Sequence, residues 1–405
     1  MNNSIIQLLK LTVIILFVLT SCKKNVKPEA TLNIHLDKND QWINLSAYAD
    51  SISYIPLKTK GKVLLSDRLE YYFSENYLLI KDISTQKVLL FQADGTFLRE
   101  IGALGKGPQE FAAPDRVTID GKEELIFICS LGLQKILIFD VNGNHIRDIS
   151  LSHGIGNLWI LPNNELLVYT SPTSFMDNKD QYYHIHVYDY SGNIRHRSKL
   201  PLPFKTADSY YAHFYMYNQQ ICVVPAGAIR DSVYVLGDQY QLIPRISFQY
   251  DGLPDKHDPD YDFNQDFFYS NITEGFDFIK PPIETTELIF RYGAFGINPV
   301  YLIYDKRKNQ SYHLRYSTQN ELTFGFINDL DGGLPFYPSG QINEEWVYTT
   351  IMPKTLKNFE KYKEKSDTIV RNTVAHQHLQ YLATQVNEDD DPVIMMVKFK
   401  NTNKK

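Results

Sequence analysis

Phe91-Gln92-Ala93-Asp94-Gly95-Thr96-Phe97-Leu98-Arg99 returns as Phe139-Asp140-Val141-Asn142-Gly143-Asn144-His145-Ile146-Arg147, and again, one residue shorter, as Tyr188-Asp189-Tyr190-Ser191-Gly192-Asn193-Ile194-Arg195. The three glycines stand 48 and then 49 residues apart. Each copy reads as an aromatic-ended strand, a tight Asp-Gly, Asn-Gly or Ser-Gly turn that supplies positive φ, and a second strand with alternating apolar residues. Another apolar run precedes each hairpin: Tyr77-Leu78-Leu79-Ile80, Leu125-Ile126-Phe127-Ile128 and Leu166-Leu167-Val168-Tyr169. One unit is therefore a small antiparallel sheet. Sheets repeated at this period bury their faces only against their neighbours, and a closed ring removes the exposed ends, which is the sequence signature of a β-propeller.

Less regular copies follow. Ile221-Cys222-Val223-Val224, Asp231-Ser232-Val233-Tyr234-Val235 and Tyr240-Gln241-Leu242-Ile243-Pro244-Arg245-Ile246 make a fourth blade. Leu288-Ile289-Phe290-Arg291-Tyr292, Val300-Tyr301-Leu302-Ile303-Tyr304 and Ser311-Tyr312-His313-Leu314 make a fifth. Trp346-Val347-Tyr348-Thr349-Thr350 and Pro392-Val393-Ile394-Met395-Met396-Val397-Lys398-Phe399 belong to a sixth. The expected fold is all-β, a six-bladed propeller over residues 32–405, with seven blades as the alternative count. Ser53-Tyr54-Ile55-Pro56-Leu57 precedes the first full blade, and Pro56 suits an edge position. This segment is expected to pair with the terminal strand and close the ring. Residues 251–283, with Asp255-Lys256-His257-Asp258-Pro259-Asp260-Tyr261-Asp262 and Phe267-Phe268-Tyr269, read as a loop insertion over one face. Residues 354–386 read as a helical insertion packed beside the last blade, with Ile369, Val370, Val374 and His378 near one stripe.

The segments Tyr54-Ile55-Pro56-Leu57, Gly95-Thr96-Phe97-Leu98-Arg99-Glu100-Ile101-Gly102, Gly105-Lys106-Gly107-Pro108-Gln109-Glu110-Phe111, Asn328-Asp329-Leu330-Asp331-Gly332-Gly333 and Asp391-Pro392-Val393 occur in this order. Together they resemble the six-bladed β-propeller lipoproteins of Bacteroidota, relatives of NHL-repeat propellers. The likeness spans most of the chain, and it implies fold and compartment far more than activity.

The N-terminus carries its own signal. Lys10 precedes the apolar stretch Leu11-Thr12-Val13-Ile14-Ile15-Leu16-Phe17-Val18-Leu19, which has the length of a signal h-region and is short for a permanent membrane span. It ends in Leu19-Thr20-Ser21-Cys22, which resembles the bacterial lipobox. Residues 1–21 are thus expected to be a lipoprotein signal peptide, with an uncleaved anchor as the alternative. Cys22 is expected to become the lipid-modified first residue, and residues 22–31 a flexible stalk. The first acidic residue after the cysteine is Glu29, which favours an outer-membrane position facing the periplasm.

Composition supports this reading. Aromatic residues make up 13% of the chain, dominated by Tyr and Phe, which favours strands. Loss of Lys10 with the signal leaves 40 basic against 47 acidic side chains, a formal charge of −7. Without a basic block there is no electrostatic footprint for nucleic acid. Cys129 and Cys222 sit in apolar strands of different repeats and read as buried thiols, with a disulfide in an oxidising compartment as the alternative if their Cα atoms come within ~7 Å.

Candidate chemistry is sparse. Gly102-Ala103-Leu104-Gly105-Lys106-Gly107 lacks the Lys-Ser/Thr of a phosphate loop and reads as a blade-to-blade crossing, from which Lys106 and Glu110 face the channel mouth. Asp329 and Asp331 begin a calcium-like loop, yet the remaining ligands are missing, and a solvated turn is the simpler reading. His184 and His186 share a strand face without a third ligand. No Gly-x-Ser-x-Gly elbow and no acid/base pair stand out, and no cofactor is implied. Arg291 and Tyr292, at an expected inner-strand end, complete the candidate ligand contacts. The leading expectation is a non-catalytic, lipid-anchored binding or scaffolding propeller for a glycan, peptide or envelope protein. The alternative is a periplasmic hydrolase or lyase acting on sugars or lactones.

Overall fold

The computed structural model describes residues 30–35, 41–151, 154–161, 163–170, 184–199, 212–225, 232–250, 276–278, 281–295, 298–317, 322–362 and 370–401. Residues 1–29, with the expected signal peptide and Cys22, and most of the 251–283 insertion lie outside them.

Each repeat forms one sheet. Blade 1 is Leu69–Phe73, Tyr77–Asp82, Lys87–Gln92 and Phe97–Glu100, paired in that order. Blade 2 is Arg116–Asp120, Leu125–Ser130, Lys135–Asp140 and His145–Ser150. Blade 3 runs Ile155–Leu161, Glu165–Thr170, Ile185–Asp189 and Ile194–Ser198, and blade 4 Ala212–Tyr217, Gln220–Pro225, Ser232–Leu236 and Leu242–Tyr250. In blade 5 the innermost position is split between Phe276–Phe278 and Ile283–Glu284, followed by Leu288–Phe295, Asn298–Asp305 and Gln310–His313. Blade 6 is Gly340–Gln341, Trp346–Ile351 and Val393–Phe399, completed from the other end of the chain by Ala49–Pro56. Six is thus the blade count, as expected. The closing pair is the expected one, with Tyr54 opposite Met395 and Pro56 opposite Val393.

The blade strands are nearly unbroken apolar runs because both faces are covered. In blade 1, Leu78, Ile80, Leu89 and Phe91 point into the gap with blade 6, while Leu79, Val88 and Leu90 point into the gap with blade 2. Six separate apolar clusters result, one in each gap of the ring. The hairpin glycines carry the positive φ read from the sequence: +86° at Gly95, +83° at Gly143 and +91° at Gly192.

Two elements differ from expectation. Ala30–Ile34 is a strand that lies parallel to Leu242–Tyr250 and adds a fifth member to the rim of blade 4, so the last residues of the segment read as a stalk belong to the propeller. The helical insertion contains helices Pro353–Lys357 and Thr373–Gln385, but its buried stripe is Leu379, Leu382 and Ala383. Val374 and His378 are exposed, and Ile369 lies outside the described residues. The reason is the cap. Asn372 accepts a hydrogen bond from the Ala375 amide at 3.0 Å and starts the helix after Val370, which breaks the stripe and resets its phase.

Antiparallel order gives the two ends of the ring different characters. The links between first and second strands, and between third and fourth, share one end, where every turn has two to five residues. We call it the turn end. The other links and the blade-to-blade crossings leave the strands at the loop end, as after Tyr250, His313 and Ile351.

A Cβ at Gly95 would stand 2.3 Å from the Pro56 carbonyl oxygen of the closing strand, whereas at Gly143 the nearest atom is the movable Arg99 Cδ at 3.6 Å. Both positions need positive φ, so each Gly→Ala change loses about 1–2 kcal/mol. The excluded backbone contact should make Gly95→Ala the worse by at least ~1 kcal/mol. Urea unfolding of the two variants checks this, and equal losses would refute it.

Candidate functional site

Polar side chains of the first and second strands join one blade to the next. Lys81 of blade 1 pairs with Glu70 at 3.0 Å and donates to the Asp115 carbonyl at 3.0 Å. Arg116 of blade 2 donates to the Gly156 carbonyl at 2.6 Å, and Asn157 of blade 3 to that of Ala212 at 2.7 Å. Gln341 of blade 6 donates to the carbonyls of Glu284 and Met216 at 2.8 and 3.3 Å. These charge-bearing and amide groups tie the blades together around the ring.

The most enclosed charge is Glu284, fully buried on the axial strand of blade 5. Arg245 contacts it bidentately, at 2.7 Å on each oxygen; Lys306 donates at 2.6 Å and the Tyr215 hydroxyl at 2.6 Å. Burial alone would raise this carboxyl, but the Arg245 hydrogen bonds and the Lys306 charge outweigh it and hold the group below its usual range. Both cations also stand over the Tyr217 ring, at 4.3 and 4.0 Å. Four donors saturate a carboxylate that has about four acceptor sites. The cluster joins blades 4 and 5 and keeps no acceptor for a substrate proton.

His213, on the axial strand of blade 4, stacks on Tyr215 with ring centroids 6.1 Å apart. Burial favours its neutral ring and lowers its pKa to about 4. The unfolded chain takes up this proton first, near pH ~6.5, so the native state is fully favoured above that value and loses stability as pH falls towards 4. The gap is equivalent to about 3 kcal/mol. His213→Gln should flatten the fall in urea midpoint between pH 7 and 4.5, and an unchanged slope would show that other groups cause it.

The residues singled out in the sequence are scattered. Lys106 is exposed on the loop-end crossing from blade 1 to blade 2. Glu110, on the same crossing, turns back on it: its carboxylate accepts from the Gly107 amide at 2.8 Å and fills the space a Cβ on Gly105 would need. Arg291 is 1% exposed, in the second strand of blade 5 and not at an inner-strand end, with its guanidinium 4.7 Å over the Phe248 ring of blade 4. Strand alternation sends Arg291 into one gap and Tyr292 into the other, where Tyr292 joins Tyr301, Phe324 and Tyr337 in a half-buried aromatic group. Blades 2 and 5 face each other across a ring of six, so the crossing and Arg291 do not meet.

Asp329 and Asp331 belong to a buried turn, not a solvated one. Asp329 accepts from the Ser46 amide at 2.8 Å and from Arg371 at 2.7 Å. Asp331 accepts from the Tyr54 hydroxyl and from Asn328, both at 2.7 Å, and His376 contacts its carbonyl at 2.6 Å. The carboxylates clasp the closing strand and the helical insertion to the last crossing. Among the described residues no group of three or more His, Cys, Asp or Glu side chains is placed to hold a metal ion. His184 and His186 stack near Tyr169 and Tyr188, and the thiols of Cys129 and Cys222 are buried and free, in blades 2 and 4.

The two surfaces of the ring contrast. At the turn end, Ser74, Glu75, Asn76, Gly121, Lys122 and Glu124 line a polar recess of about 380 Å³. Of seven large apolar side chains exposed among the described residues, Leu64, Leu104, Met352, Val374 and Tyr381 sit on connections that leave the ring at the loop end, the last two on the helix that packs beside the closing strand, and Trp42 and Ile146 lie elsewhere. Thr59 donates to the Asp391 carboxylate at 2.7 Å through its hydroxyl, joining the crossing that carries Leu64 to the end of the helical insertion that carries the last three. Sequence periodicity had assigned Val374 to the core; only the helix phase reveals it as surface.

A crystal structure of a Bacteroides fragilis protein described as exported matches 92% of this chain and all of its own, at 19% identity and a TM-score of 0.66, and shares the propeller fold. A member of the DUF4221 family from Bacteroides vulgatus matches 87% of this chain and 97% of its own, at 11% identity and a TM-score of 0.45. No curated protein matches the chain significantly. The profile of a domain of unknown function, DUF4934, matches residues 30–398, from the rim strand of blade 4 to the terminal strand of blade 6, and the chain belongs to the DUF4934 family.

Proposed function

We propose that this chain is a lipid-anchored, non-catalytic binding propeller of the bacterial cell envelope, held at the outer membrane on its periplasmic side. Its ligand is a glycan, peptide or partner protein taken up at the loop end. The observation that carries this reading is that Leu64, Leu104, Met352, Val374 and Tyr381 all sit on connections that leave the ring at that one end. Large apolar side chains scattered singly need no explanation, but a set of them at the end that bears the long connections marks an interaction surface. Lys106, two residues from Leu104, is the sequence candidate that belongs with it. The enclosed charges support the same view, since Glu284, Asp329 and Asp331 serve blade contacts. The exported description of the Bacteroides fragilis relative agrees with an envelope location.

Cys22 is the proposed acylation point. Replacing it, Cys22→Ala, should leave a soluble form or an unprocessed precursor after membrane fractionation. Unchanged membrane partition of a processed chain would reject the anchor.

The binding reading is tested with envelope glycans and peptides, following both retention and products by mass spectrometry. Tyr381→Ser combined with Leu64→Ser should weaken retention several-fold, while Lys122→Ala at the turn end leaves it unchanged. Turnover of any of these ligands by the unaltered protein would overturn the non-catalytic role in favour of a hydrolase or lyase.

A further inference from the structure

We infer that the turn end is the membrane-facing surface of the tethered protein, which directs the loop end into the aqueous compartment. The inference rests on Cys22 being the anchor, and it deepens the binding proposal by saying which end a ligand meets. Its basis is the direction of one strand. Leu242–Tyr250 starts just after the turn-end residues 237–241 and runs to the loop end. Ala30–Ile34 lies parallel to it, with Ala30 opposite Ile246 and Ile34 opposite Tyr250. The N-terminal end of Ala30–Ile34 therefore points to the turn end.

Length makes this restrictive. Eight residue steps separate Cys22 from Ala30, at most about 27 Å of chain. Ala30 already stands four residues inside the strand beside it, which uses about 13 Å of that reach. The anchor thus extends no more than roughly 14 Å past the turn end. A bilayer at the loop end would require the chain to reverse at Ala30 and pass the long crossings that leave there. The turn end presents no such obstacle, because none of its turns exceeds five residues. Exposed Glu75, Lys122 and Asp94 make that surface polar, suited to headgroups rather than to insertion.

The test places the photoreactive residue p-benzoylphenylalanine singly at Glu75 or Lys122 on the turn end, Thr31 on the rim, or Leu64 or Tyr381 on the loop end. The lipidated chain is reconstituted in vesicles of phosphatidylethanolamine and phosphatidylglycerol, and lipid cross-links are measured after irradiation. Turn-end positions should cross-link several-fold more than either loop-end position. Higher yields at Leu64 and Tyr381, or a maximum at Thr31, would overturn the orientation. Failure of acylation is seen separately, because the chain then does not float with vesicles. In that case residues 22–405, coupled through the Cys22 thiol to maleimide-headgroup lipid, give the same comparison, so the anchor and the orientation are judged independently.

Discussion

Closure of the ring is the constraint on which the rest of the structure depends. A propeller blade has two apolar faces and is stable only when both are covered, so a ring with one open gap exposes two faces at once. Here the last blade receives its outer strand, Ala49–Pro56, from the far end of the chain. The gap it completes holds Leu57, Leu78, Ile80, Phe91, Tyr348 and Ile394. Burying an aliphatic or aromatic side chain of this kind contributes roughly 1.5–3 kcal/mol, so the join between chain ends has the same apolar substance as any internal gap. Gly95 packs its bare α-carbon against Pro56 at this seam, which makes the first hairpin part of the closure.

Polar groups reinforce the join instead of competing with it. Tyr54 on the closing strand donates to Asp331, Ser46 just before it donates to Asp329, and Arg371 and His376 reach the same turn from the helical insertion. Burial raises the Asp331 carboxyl above its ordinary range, with the hydrogen bonds from Tyr54, Gly333 and Asn328 opposing that rise. A buried carboxylate is costly unless several donors meet it. Two segments distant in sequence, the closing strand and the last crossing, must therefore be in place together. The Glu284 cluster applies the same logic between blades 4 and 5, with two cations and a tyrosine around one carboxylate.

Antiparallel order then divides the molecule. Short turns collect at one end and long connections at the other, and apolar exposure follows the long connections because a helix or loop added outside a closed ring has one side with nothing to pack against. Helix Thr373–Gln385 shows this directly: Leu379 and Leu382 face blade 6, and Tyr381 between them is 63% exposed. In the proposed orientation, the Cys22 anchor and these connections face opposite ways along the ring.

The blades were legible in sequence because a repeat of glycine turns and apolar runs is a local pattern, and local patterns specify strands, hairpins and their number. Closure by the segment around Tyr54 and Pro56 was legible too, since an unpaired strand at one end of a ring has only the open blade to join. Side-chain destinations were not legible. Arg291 and Tyr292 are adjacent, but alternation sends them into different gaps, and which gap holds Phe248 depends on the neighbouring blade. Glu110 read as a ligand contact until its carboxylate was seen to fold onto Gly107, and the acidic turn at Asp329 read as solvated until Ser46, Tyr54 and Arg371 arrived from elsewhere in the chain. The strand Ala30–Ile34 escaped notice because a parallel rim strand has no hairpin partner to announce it. Sequence by itself determined how many sheets form and how the ring closes, because those follow from short-range periodicity. Tertiary structure alone decided which charges are enclosed and which apolar groups face water, because burial is a property of neighbours brought together from hundreds of residues apart.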